Sequence, residues 1–217
     1  MHIIWKGQSC FQILTAQQKG EQLSIVIDPF DEAIGLKPQS LSANILLVTH
    51  QHHDHNNVKI IKNSPFLIDN PGEYEIKDIF IKGIPAFHDD VRGKEKGRIT
   101  IYAVETEDLR LCHLGDLGQK ELTPDQLEEI GDIDILMIPV GGVYTINGIQ
   151  AAKIISQIEP RIVIPMHYQI PKLKLRLDGV DKFLKTMGIK SIESQAKLLI
   201  KKKDLPAEEI KVVVLKP

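Results

Sequence analysis

A mixed α/β fold is the expectation from this chain, on two observations. Short β-like runs crowd the first half, and past residue 120 helix-start signals alternate with apolar runs. In order, residues 3–5, 10–14, 23–27, 45–48, 66–68, 79–84, 98–104 and 109–113 read as strands. Thr123-Pro124-Asp125-Gln126 then opens a helix. Thr123 supplies the N-cap oxygen, Pro124 takes the first helical position, where a missing N–H costs nothing, and Gln126 sits at the capping-box position. A second helix is expected from Asn147 to about residue 157 and a third over about residues 180–187. The apolar runs 133–140 and 161–165 fall between these helices, and a last strand is expected at 211–215.

The 217 residues are 42% hydrophobic and 26% charged, enough apolar material for one substantial core without staples. With no convincing repeat, low-complexity segment or linker, residues 1–217 are expected to form a single domain. The net charge of −2 provides none of the broad positive surface that a non-specific nucleic-acid binder needs. The densest basic group, Lys197, Lys201, Lys202 and Lys203, reads as a solvated helix face. Cys10 and Cys112 are too few for a secreted disulfide framework, and both read as buried packing. The start lacks a signal-peptide pattern and no apolar stretch approaches about 18 residues, so a cytoplasmic protein with no membrane partner is expected.

Residues 49–55 read Thr-His-Gln-His-His-Asp-His, directly after the apolar run Ile45-Leu46-Leu47-Val48. A buried strand thus delivers a loop dense in potential ligands. His50, His52, Asp54 and His55 combine imidazole nitrogen with carboxylate oxygen, a donor set suited to zinc or another first-row divalent ion. The same crowding in a core would leave polar groups competing for partners. His53 fills a loop slot, His113 reads as packing or a support for the ligands, and His2 as uninvolved.

His50-x-His52-x-Asp54-His55 resembles the signature of the metallo-β-lactamase-fold hydrolases, and the resemblance extends along nearly the whole chain. It implies a four-layer αββα sandwich, with two mixed β-sheets flanked by helices. Asp28, in Ile25-Val26-Ile27-Asp28-Pro29, resembles the acidic residue that supports the histidine loop. His88, Asp116 and His167 resemble the remaining ligands, with Asp116 in the bridging position. On that resemblance His50, His52 and His88 hold one ion, Asp54, His55 and His167 hold the other, and Asp116 lies between them. Each of the three later ligands follows a strand-like run, which places them together at strand ends.

The implied cofactors are two divalent ions, zinc first, with manganese, iron or cobalt also compatible. Two dications, two aspartates and one hydroxide leave a formal local charge of about +1, which favours an anionic substrate. A bridging hydroxide, formed from water whose pKa falls toward about 7, would attack a carbonyl or phosphoryl centre. Asp54 and Asp116 are the expected catalytic carboxylates. The cysteines occupy none of the positions that the family's zinc β-lactamases use for a thiolate ligand, which argues against β-lactam hydrolysis.

Within the family, Pro71-Gly72-Glu73-Tyr74-Glu75, His113-Leu114-Gly115-Asp116-Leu117-Gly118 and Pro165-Met166-His167-Tyr168 resemble the compact branch that includes the ascorbate-6-phosphate lactonases. Only 32 residues separate His55 from His88, and 50 separate Asp116 from His167, too few for an added nuclease domain or a tRNA-gripping arm. The expected activity is hydrolysis of a small ester, lactone or phosphorylated compound. A nuclease or phosphodiesterase with the same metals, and a non-catalytic metal-binding protein, are the alternatives. Candidate substrate contacts are Arg92, Lys94, Lys96 and Arg98 in the stretch after His88, together with Tyr144, Asn147 and Tyr168. Lys94 and Lys96 read more simply as solvated loop charges. Tyr168 is expected either to pack over the metals or to donate a hydrogen bond to an oxyanion.

Overall fold

In the computed structural model, residues 1–16 and 20–217 are described, and their strands form two sheets. The first sheet begins as a meander, because β1 (His2–Gly7), β2 (Cys10–Ala16) and β3 (Gln22–Ile27) are joined by short connections. β1 alternates between half-buried and buried positions, the period-two pattern of a strand with one face on the core. β4 (Ile45–Leu47) and β5 (Phe66–Ile68) then add in parallel, so this sheet is mixed. The two-residue β12 (Leu198–Leu199) closes its other edge by pairing with β1.

β6 (Gly72–Ile76), β7 (Ile79–Phe87), β8 (Arg98–Thr106) and β9 (Leu109–His113) make the antiparallel half of the second sheet. β10 (Ile135–Pro139), β11 (Ile162–Met166) and β13 (Lys211–Val212) extend it in parallel from β9. Every residue of β10 and β11 is buried, as expected for parallel strands covered on both faces. Their crossovers carry α1 (Pro124–Ile130) and α2 (Gly148–Ile158), and α3 (Val180–Thr186) packs on α2. Both α1 and α2 begin with complete capping boxes, from Thr123 and Gln126 and from Asn147 and Gln150.

The expected two mixed sheets with flanking helices are therefore present. The flanking is uneven among the described residues: all three α-helices follow residue 120, whereas earlier connections carry only 3-10 turns at Glu32–Ile34 and Val58–Ile60. Among the described residues, no helix is long and apolar enough to cross a membrane. The expected strands and helices all form. β6 and β12 are additions: β6 is an edge strand whose exposed Glu73 and Glu75 alternate with half-buried residues, so its apolar signal is weak. One expectation is corrected. Lys197, Lys201, Lys202 and Lys203 are exposed but lie on no α-helix, since Lys202–Asp204 is a single 3-10 turn after β12.

The two sheets share one apolar cluster that runs from Met1 to Leu215. Polar links cross it at few points. The buried Tyr102 hydroxyl, on β8, reaches the carbonyls of Val48 and Ile68 at 3.1 Å each, and Thr15 of β2 bonds Thr106 of β8 at 2.8 Å. Removing the phenol oxygen leaves buried carbonyls without that donor. Tyr102→Phe is expected to lower unfolding free energy by about 1–2 kcal/mol, read from the midpoint of urea denaturation at unchanged slope.

Candidate metal centre

Strand ends converge on one edge of the sandwich. The loop carrying His50, His52, Asp54 and His55 leaves the end of β4, and His88 directly follows β7. Asp116 lies three residues beyond β9, and His167 directly follows β11. His167 takes φ +50°, an uncommon conformation for a residue with a side chain, and its N–H donates to the Gln8 carbonyl at 3.0 Å. Two glycines permit the convergence. A Cβ on Gly118 would overlap the His88 carbonyl, and one on Gly141 would overlap the His167 carbonyl.

All seven expected ligands come together, in two groups: His50, His52 and His88, and Asp54, His55, Asp116 and His167. Within each group the candidate donor atoms lie within 4.8 Å of one another. His50 Nε2 and His52 Nδ1 stand 3.1 Å apart. Asp116 Oδ2 is 3.1 Å from His167 Nε2, 3.2 Å from His55 Nε2 and 3.6 Å from His88 Nε2, so one oxygen faces both groups. His55 Nε2 and His167 Nε2 are buried, yet neither makes an aligned hydrogen bond. Buried nitrogens without partners, aimed at a shared carboxylate, are the donor set a divalent metal requires.

Asp28 sets the base of the site. Fully buried at φ +48°, it accepts from Thr49 N at 2.8 Å, Thr49 Oγ1 at 2.7 Å and His55 Nδ1 at 2.8 Å. With the Nδ1 proton committed to Asp28, Nε2 is the His55 nitrogen left for a metal. The expected supporting role of Asp28 thus has a geometry.

Two further supports went unread in the sequence. Gln8 and Ser9, in the β1–β2 turn, are fully buried. Gln8 Nε2 donates to Asp54 Oδ2 at 3.1 Å, and the Ser9 hydroxyl donates to Asp116 Oδ1 at 3.2 Å. Polar residues in a buried hairpin turn were the available signal. His113 is a scaffold group: its Nε2 donates to the Ser9 carbonyl at 2.9 Å and its Nδ1 accepts from Gly115 N at 3.1 Å, so neither nitrogen is free for a metal.

Burial and mutual charge set the ionisation. Burial drives the pKa of His50 down to about 2 and also lowers that of His88. For His55, burial opposes the charged form, but Asp116 and Asp28 outweigh it and hold the pKa well above the usual histidine range. Burial likewise works against an ionised Asp116, yet His167 and His55 keep its pKa well below the carboxylate norm. Asp54 is lowered against its own burial by the nearby His55, whose Nε2 lies 3.5 Å from Asp54 Oδ2. Burial raises the pKa of both Cys10 and Cys112, which leaves them as protonated packing groups.

Two hollows open beside the ligands. One, of about 440 Å³, is walled by Asp54, His88, Asp116, Tyr144 and Leu175. The other, of about 460 Å³, is walled by Thr49, His50, Asn70, Arg98 and Thr100. His52 and Lys96 line both. Lys96 is not a free surface charge as expected: it is half-buried, and its Nζ donates to the Tyr144 carbonyl at 2.8 Å. Its loop is organised by Asp89, whose carboxylate accepts from the N–H groups of Val91, Gly93, Glu95 and Lys96 at 2.7–3.0 Å.

Four expected substrate contacts are displaced. Tyr168 is buried, its ring 5.0 Å from that of Trp5 and its hydroxyl aimed at the Leu215 carbonyl, so it faces the core and neither hollow. Asn147 spends its side chain capping α2. Arg92 and Lys94 are exposed and line neither hollow.

Residues 2–167 match the family model described as "Beta-lactamase superfamily domain". The chain is 30% identical over 189 residues to a UPF0173 metal-dependent hydrolase of Thermococcus onnurineus, spanning 75% of this chain and 82% of that one. It is 36% identical to a Thermotoga maritima protein whose structure is assigned to the Zn-dependent hydrolases of the metallo-beta-lactamase superfamily; the TM-score is 0.78, over 99% of this chain and 97% of the other. A metal-dependent hydrolase structure from Parabacteroides distasonis, at 22% identity and a TM-score of 0.62, shares the fold.

Gln8→Ala and Ser9→Ala are each expected to weaken divalent-metal affinity about 10–100-fold in a chelator competition, since each removes a donor that orients a carboxylate ligand. The sign of the pH effect follows from His55. Its raised pKa means that an entering ion must displace a proton, so affinity rises with pH by about tenfold per unit for each proton released, up to that pKa. Competition titrations at several pH values read this slope directly.

Proposed function

The chain belongs to the metallo-β-lactamase superfamily and is a metal-dependent hydrolase; from that premise we propose that it hydrolyses a small anionic ester, lactone or phosphorylated compound at a two-metal, zinc-favouring centre. The observation that carries the reading is the position of Asp116 Oδ2, within 3.1–3.6 Å of His55, His167 and His88 nitrogens. A carboxylate oxygen facing both ligand groups is suited to bridging. His50, His52 and His88 would hold one ion and Asp54, His55 and His167 the other. Ions bound there supply water acidified toward a pKa of about 7 and a Lewis acid for the substrate oxygen.

The protein's own groups account for the remainder. Asp54 and Asp116 stay ionised in the cleft, so both accept hydrogen bonds and orient an attacking water. The water oxygen bonds to the carbonyl carbon, the bond to the leaving oxygen breaks, and a proton passes to that leaving oxygen. Asp28, Gln8 and Ser9 keep the ligands from rotating, which limits reorganisation during the reaction. The two free, buried cysteines agree with a reducing, cytoplasmic location.

Elemental analysis of reconstituted protein, with a screen of lactone, phosphodiester and thioester substrates, tests this reading. Two ions per chain and turnover of a lactone or ester are expected; fewer than two ions after reconstitution sinks the two-metal centre, and turnover of the phosphodiester alone favours a nuclease. Asp116→Ala and His167→Ala should each abolish turnover, with circular dichroism largely unchanged. Full activity in either variant overturns the ligand assignment.

A further inference from the structure

The two hollows differ in chemistry. The cleft beside Asp54 and Asp116 is also walled by Tyr144 and Leu175, with Lys96 shared between it and the other hollow. The hollow beside His50 and His52 carries Arg98 and Lys96. Arg98 is the first residue of β8 and stands opposite Phe87, so its backbone is one register position from the ligand His88. The ion pairs of the described residues engage Lys77, Lys82, Arg110, Lys120, Lys182 and Lys202, but neither Arg98 nor Lys96. Asp69 is the single acid in the wall, and its Oδ1 already accepts from Asn70 Nδ2 at 2.7 Å. Arg98 offsets Asp69, and Lys96, shared with the cleft, tips this hollow positive next to the ligands.

The cations are also differently prepared. Lys96 is held by the Tyr144 carbonyl, 5.8 Å from the Tyr144 ring centroid, on a loop whose N–H groups are gathered by Asp89. It forms a fixed partition between the hollows, with at least one ammonium hydrogen left over. Arg98 is exposed, and its planar fork matches a carboxylate or phosphate.

We propose that the hollow beside His50 and His52 is a subsite for an anionic group of the substrate, a carboxylate or phosphate held by Arg98 with Lys96 beside it, while the cleft at Asp54 and Asp116 takes the uncharged part. The proposal rests on the hydrolase reading of the same centre and narrows it. The substrate is an ester or lactone with a negative group set apart from the bond that breaks.

A matched pair of aryl esters, with and without a ring carboxylate, tests the subsite on the zinc-loaded protein. The wild type should favour the charged ester about tenfold in kcat/KM; Arg98→Gln should bring the ratio near one, and Arg98→Lys should restore part of it. A ratio unchanged in Arg98→Gln, or no preference in the wild type, overturns the subsite. If neither ester turns over, the ester-hydrolase reading fails, and calorimetric titration with benzoate still decides the subsite. Binding to the wild type that weakens about tenfold in Arg98→Gln supports it, whereas equal binding, or none, overturns it.

Discussion

Asp28 accepts three hydrogen bonds while fully buried, and two of them come from the residue that opens the ligand loop. A lone buried carboxylate is expensive to desolvate, so those donors are obligatory rather than ornamental. Through Thr49 the aspartate fixes where β4 hands over to the loop, and through His55 Nδ1 it fixes which nitrogen faces a metal. Thr49 in turn gives its carbonyl to Thr100 N on β8, so the same short segment joins the first sheet to the second at the site. Ligand geometry and sheet packing are therefore one problem at this point.

The fold was legible wherever a segment's own residues dictate its structure. Continuous apolar runs such as Ile135–Pro139 and Ile162–Met166 become strands buried on both faces, and Thr123 with Gln126 closes a capping box as their spacing implies. β12 was illegible because two residues have no period, and they form a strand only through pairing with β1. The ligands were legible for a chemical reason: imidazoles at that density have few uses other than a metal.

Their supports were harder to read. Gln8 and Ser9 are ordinary turn residues until the β1–β2 hairpin is folded under the ligands, more than 40 positions away in the chain. Tyr168 was misleading because adjacency to His167 suggests proximity to the metals. The backbone turns at His167, and the next side chain goes to the opposite side, against Trp5. Lys96 shows the converse case: a charge in a polar, glycine-containing stretch becomes half-buried because Asp89 curls that stretch into a compact loop.

The loop made by Asp89 carries a thermodynamic meaning. Four backbone N–H groups are already satisfied by one carboxylate, so residues 91–96 have little rotational freedom left to lose when a ligand arrives. A ligand meeting this wall would find it already ordered. The ordering cost of binding there is carried by the folded chain and not by the encounter.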